Sequence, residues 1–133
     1  MKKRISLRYQ QNKIERIERL QSAVATLENY KNFFLSKGEL VQEGCWVARY
    51  RVRQPKQVYW YYKLHASLPT FPTTTEPKKL TKYKHLGKAG SQAHVDAVMG
   101  VVRRTIVEEI QKTIDSLKNS LLDISFDSEQ KDK

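Results

Sequence analysis

Between Cys45 and His65 the chain reads CWVARYRVR-QPKQ-VYWYYKLH, two short runs that alternate with period two across a turn containing Pro55. Such alternation around a proline turn is the signature of a β-hairpin. In the first run Trp46, Ala48, Tyr50 and Val52 hold the even positions, while Arg49, Arg51 and Arg53 fall on odd ones. In the second run Val58, Trp60, Tyr62 and Leu64 are even, and Tyr59, Tyr61, Lys63 and His65 odd. The pattern predicts an even, buried face and an odd face that sets arginines beside tyrosines. Cations interleaved with rings suit a charged polymer that carries stackable groups.

The flanking segments predict what supports this hairpin. From about Ile5 to Lys37 the sequence has neither Gly nor Pro, and Ile17, Leu20, Val24, Leu27 and Phe34 recur at helical spacing, with Gly38 as a stop. A helix over 5–37 would be roughly 50 Å long, more than a small core needs, so part of it must pack on another helix or another subunit. A second helix is expected over 91–124, capped by Ser91, with a stripe of Val95, Val98, Val102, Ile106, Ile110, Ile114, Leu117, Leu121 and Ile124. Its β-branched residues weaken intrinsic helix propensity, so it depends on burial of that stripe. The two stripes predict a coiled-coil-like helical pair and a homodimer through a four-helix arrangement of helices 5–37 and 91–124.

Between hairpin and second helix, the run ASLPTFPTTTEPK at 66–78 reads as a long loop, and KLTKYKHL at 79–86 as a third strand. There Lys82 and Lys84 are assigned to the cationic face and Tyr83 to the core. The expected fold class is therefore α+β, a single domain over 1–133 in the order α-β-β-β-α: a long N-terminal helix, a three-stranded antiparallel sheet over 45–86 and a long C-terminal helix. The end of the chain, 125–133, reads as a polar, disordered tail.

Charge says where to look for function. Lys and Arg number 25 against 14 Asp and Glu, a formal net charge of +11. Residues 1–38 hold nine basic and three acidic side chains, 39–90 ten and three, and 91–133 six and eight. The excess therefore sits on the first helix and the sheet, and clustered positive charge attracts polyanions. The terminal cluster Lys2, Lys3, Arg4 and Arg8 adds a candidate phosphate contact.

Catalytic and metal chemistry find little material. His65, His85 and His94 are the only histidines, without Cys or carboxylates at metal-ligand spacing, and Glu108 and Glu109 point about 100° apart on a helix. GKAGS at 87–91 lacks the order of a nucleotide-binding loop, although Lys88, Ser91 and the backbone N–H groups of the helix start suit a nucleic-acid phosphate. A lone cysteine, Cys45, and the absence of an apolar run of signal or membrane-spanning length point to a cytoplasmic protein off the membrane.

The strings W-V-A-R-Y-R-V, Y-W-Y-Y-K and K-Y-K-H-L-G followed by a helix, between Trp46 and about Arg104, resemble the integrase-type three-stranded-sheet DNA-binding domains, the arm-binding and AP2-like modules. The resemblance implies a sheet face entering the major groove, here with Arg49, Arg51, Tyr61, Lys63, Lys82 and Lys84. This chain departs from that pattern in its longer loop at 66–78 and its two long flanking helices.

The functional expectation is a small, basic, non-enzymatic nucleic-acid-binding protein, DNA before RNA, a mobile-element accessory factor or regulator. Its site residues are Arg49, Arg51, Arg53, Tyr59, Tyr61, Lys63, Lys82, Lys84, Lys88 and Ser91. No catalytic residue, metal, cofactor, small-molecule substrate or membrane partner is expected. The alternative is a helical adaptor or scaffold that binds a partner protein through its amphipathic helices, its charge serving solubility alone.

Overall fold

The structure, a computed structural model, describes the backbone of residues 2–127 and the side chains of residues 7–127. The elements are α1 (Lys2–Ser36), β1 (Cys45–Gln54), β2 (Gln57–Ala66), β3 (Phe71–Pro72), β4 (Leu80–Thr81), β5 (Tyr83–Lys88) and α2 (Gln92–Ser125). The main sheet is antiparallel in the order β1-β2-β5, and β3 and β4 form a separate two-stranded ladder. The α+β order of helix, three-stranded sheet and helix is therefore that expected from the sequence. The third strand is shifted to 83–88, because Leu80 and Thr81 pair with Pro72 and Phe71 and so fold the proline-threonine loop back on itself.

The chain forms two compact units, a helical one from α1 and the second half of α2, and a sheet unit over Lys37–Ile106. In the helical unit the two helices run antiparallel. The register is marked by the Arg16–Asp127 ion pair at 2.6 Å and by Lys31 Nζ donating to Gln111 Oε1 at 2.6 Å. Ile114 and Ile124 are buried there, and Ile17, Leu20, Val24, Leu27, Phe34, Ile110, Leu117 and Leu121 are half-buried. Asp127 is paired with Arg16; the remainder of the expected tail, 128–133, and the side chains of Lys2, Lys3 and Arg4 lie outside the described residues.

In the sheet unit, the hairpin turn is two residues long, Pro55 and Lys56 between the paired Gln54 and Gln57. Pro55 presets its own φ for the first turn position. The loop length also fixes which side chains share a face. Every cross-strand pair joins an odd position to an even one: Trp46 with His65, Ala48 with Lys63, Tyr50 with Tyr61 and Val52 with Tyr59 on one side. On the other lie Cys45 with Ala66, Val47 with Leu64, Arg49 with Tyr62, Arg51 with Trp60 and Arg53 with Val58. An all-even face would require an odd number of loop residues, so the expected division into an even core and an odd cationic surface is corrected.

The core consists of Cys45, Leu64, Ala66, Leu86 and Ala97, with Val41, Val47, Tyr62 and Phe71 packed around it. Full burial of one such leucine contributes about 1.5–3 kcal/mol. Ala97 brings α2 onto the Cys45–Leu64 side of the sheet, and the His94 ring stacks on Tyr62 at 3.7 Å. Gly100 admits the segment that enters the sheet: Val41 N donates to Gly100 O at 3.2 Å, and a Cβ on Gly100 would stand 2.8 Å from Val41 Cγ2. Arg103 then donates from Nε and Nη2 to Glu39 O, and Arg104 Nη1 donates to Gln42 O at 2.6 Å and Cys45 O at 2.9 Å. These two arginines pin the strand entry to the helix.

The β2–β5 ladder shifts register at Tyr62 and Lys63, with Tyr62 opposite Gly87 and Lys63 opposite His85. The intervening Leu86 is the extra residue, and it is buried. Gly87, at φ 94°, supplies the left-handed conformation that a side chain resists. Ser91 caps α2 as expected: its Oγ accepts from His94 N at 3.3 Å and donates to Leu86 O at 2.7 Å. Among the described residues no helix is long and apolar enough to cross a membrane.

Candidate nucleic-acid interface

The register turns the predicted site into two surfaces. On the side away from Ala97, three rows cross the sheet: Trp46–His65–Tyr83, Ala48–Lys63–His85 and Tyr50–Tyr61–Lys88, with Val52 and Tyr59 beyond. We call this the open face; no acidic residue stands in it. Trp46 and Tyr83 are 47% and 44% exposed. Trp46 stacks on His65 at 5.4 Å, Tyr50 on Tyr61 at 5.9 Å, and Tyr83 meets His65 edge-on at 4.8 Å. Lys63 lies between the ring rows, its Nζ 4.6 Å from the Tyr50 centroid and 4.7 Å from that of Tyr83. Lys88 Nζ stands 4.3 Å from the ring of Tyr59, and Tyr50 Oη meets His85 Nδ1 at 3.2 Å. The Tyr59 hydroxyl also donates to Gln57 Oε1.

Burial, and after it the charge of Lys63, pushes the His65 imidazole below its ordinary value of 6.5. Both causes favour the neutral ring, which stacks on Trp46.

The second surface continues the α2 side of the hairpin. Arg49 and Arg51 hold their guanidinium carbons 4.2 and 5.8 Å from the Trp60 ring centroid, and Arg53 lies opposite Val58. Trp60 and Val58 were expected in the core and are 40% and 52% exposed. The reason is reach: β5 pairs with β2 only from Tyr61 to His65, so the hairpin beyond Tyr61 is a two-stranded ribbon without a third strand.

Each predicted site residue now has a place. Tyr59, Tyr61, Lys63 and Lys88 share the open face; Arg49, Arg51 and Arg53 occupy the opposite one. Lys84 pairs with Leu64 on the α2 side instead of with the tyrosines, and Lys82 lies outside the strands, its carbonyl accepting from Ala66 N at 2.8 Å. The Ser91 hydroxyl is engaged in the helix cap. Tyr83 belongs to the open face and not to the core. Trp46, Tyr50 and His85 were missed as surface residues, although the two-residue turn in the sequence carries the signal that places the first two beside His65 and Tyr61.

Elsewhere in the sheet unit a cavity of about 890 Å³ opens among Val41, Cys45, Leu64, Phe71, Leu86 and Gly100. Cys45, 3% exposed, is a free thiol. No group of three or more His, Cys, Asp or Glu that could hold a metal ion occurs among the described residues. Comparison with family models, curated proteins and solved structures yields no match to this chain.

Proposed function

We propose that this is a non-catalytic nucleic-acid-binding protein, DNA its first ligand, that engages the polymer through the sheet unit. One observation carries the reading: from Gly44 to Val95 the chain has ten Lys or Arg and a single acid, Glu76, and four of these cations, Arg49, Arg51, Lys63 and Lys88, lie against rings on the two faces of the sheet. Lys and Arg hold phosphates irrespective of sequence. The groove docking implied by the integrase-type resemblance takes a different form here. Arg49 and Arg51 lie on one face and Tyr61 and Lys63 on the other, so no single face carries the set that the resemblance implies for a groove.

A salt series tests the proposal. Binding to duplex DNA, single-stranded DNA and structured RNA is measured for wild type and for Arg49→Ala/Arg51→Ala/Lys63→Ala, with circular dichroism as the folding control. The folded variant is expected to lose affinity at low salt and to flatten the log–log salt slope by up to about three units on duplex and about two on single strands. An unchanged slope removes the sheet from the interface. Failure of wild type to bind any of the three at low salt ends the reading and favours the adaptor alternative.

A homodimer through the helices is the second part of this reading, and charge favours it. Residues 2–36 carry eight basic and three acidic side chains, whereas 107–127 carry two and five, so a second copy can set each helix against one of opposite charge. Leu7, Ile14, Leu122 and Phe126 are exposed apolar side chains of the two helices and their C-terminal end. Light scattering is expected to give twice the chain mass, and Leu122→Glu/Phe126→Glu to return a monomer; a monomeric wild type at tens of micromolar refutes the dimer.

A further inference from the structure

We infer that the open face is a stacking platform for unpaired bases, so that the ligand class of this site is a single-stranded nucleic acid rather than a closed duplex. The inference rests on the nucleic-acid reading above and specifies it. Its basis is the order of the three rows. Two rows of rings, Trp46–His65–Tyr83 and Tyr50–Tyr61, flank a middle row that begins with the small Ala48 and has Lys63 at its centre. Four residues separate Trp46 from Tyr50 along β1, about 13 Å of strand. Bases laid on the two ring rows would place the backbone between them over Lys63, whose ammonium now rests against Tyr50 and Tyr83 and exchanges those ring contacts for a phosphate. Lys88 stands at the end of the Tyr50–Tyr61 row in the same relation to Tyr59.

Structural pairing alone does not account for this surface. Cross-strand ring pairs stabilise a hairpin, and Trp46–His65 and Tyr50–Tyr61 do so here. That role asks neither for the absence of every acid nor for Trp46 and Tyr83 to stay nearly half exposed. A duplex buries its base faces in its own stack and offers these rings only edges and phosphates. An unpaired strand offers faces, and every base has one, so recognition is tolerant of sequence.

The discriminating probe is a strand without bases. Binding of wild type is measured at one salt concentration to an oligothymidine, to an abasic oligomer of equal length and charge, and to a duplex of that length. The oligothymidine is expected to bind at least about tenfold more tightly than the abasic oligomer and to quench tryptophan fluorescence in the Trp60→Phe background, where Trp46 is the sole reporter. Trp46→Leu/Tyr83→Leu, which keeps bulk on exposed positions and removes rings, is expected to abolish that preference while retaining abasic binding. Equal affinity for oligothymidine and abasic oligomer, or tighter binding to duplex with no effect of the ring variant, overturns the platform and leaves the nucleic-acid reading intact. No binding to any probe at low salt defeats both, and the two failures are thereby distinct.

Discussion

The two faces of the β-sheet are built mainly from the same hairpin, Cys45 to Ala66, and differ in what the packing demands of them. The face toward α2 is apolar where Ala97 reaches it, with Cys45, Leu64, Ala66 and Leu86 buried, and turns to Arg49, Arg51 and Trp60 where the third strand ends. The open face has no such gradient: rings and cations run from Trp46 and Tyr83 to Tyr59. Apolar burial therefore identifies the side that carries the fold, whereas the rings retained in an acid-free surface mark the side that the proposed ligand would meet.

The sharpest way to break this contrast is on the apolar side. Leu64→Ala removes the buried centre of the core and is expected to cost about 2–5 kcal/mol in denaturant unfolding, whereas Tyr83→Leu on the open face should cost under about 1 kcal/mol. Comparable losses would show that both faces are structural. A thiol reagent tests neighbouring residues directly: Cys45 should label at least about a hundredfold more slowly in the native protein than a thiol placed next to it by Trp46→Cys in a Cys45→Ser background. Equal rates would mean that the assigned register is wrong.

Gly100→Ala presses a methyl against Val41 on the covered side and is expected to destabilise the sheet unit by about 1–3 kcal/mol, read as a lowered thermal midpoint with unchanged affinity at temperatures where it remains folded. The smallest effect belongs to His65. Its folded-state pKa is lowered, so below 6.5 the unfolded chain binds more protons than the folded one. The stability this group contributes is complete above the unfolded value and is lost as pH falls through the lowered folded one. His65→Phe should flatten that part of the stability–pH profile, and an unchanged profile would assign the slope to other groups.

Much of this molecule is written locally. The stripe from Ile106 to Ile124 specifies α2, although Val95, Val98 and Val102, expected in the same buried stripe, are exposed; the Gly- and Pro-free run specifies α1, the alternation around Pro55 the hairpin, and Ser91 marks the cap. Those features depend on interactions within a few residues, which is why pattern and spacing reveal them. Even the pairing of odd with even positions follows from the two residues of the turn, once the turn is taken as the ruler instead of hydrophobicity.

Tertiary structure alone decided the rest. Trp46 and Tyr50 are as apolar as core residues, and only the placement of Ala97 and Leu86 against Leu64 tells which face is covered. The extra residue Leu86 reversed Tyr83, and the short reach of β5 left Trp60 to the arginines. Arg103 and Arg104 are tied to the strand entry by hydrogen bonds to the Glu39, Gln42 and Cys45 carbonyls, contacts that no local spacing announces. Sequence determined the elements and the charge they carry, because propensity and composition are local. Which side of the sheet meets α2 depends on contacts between residues distant in the chain, and no local pattern encodes them.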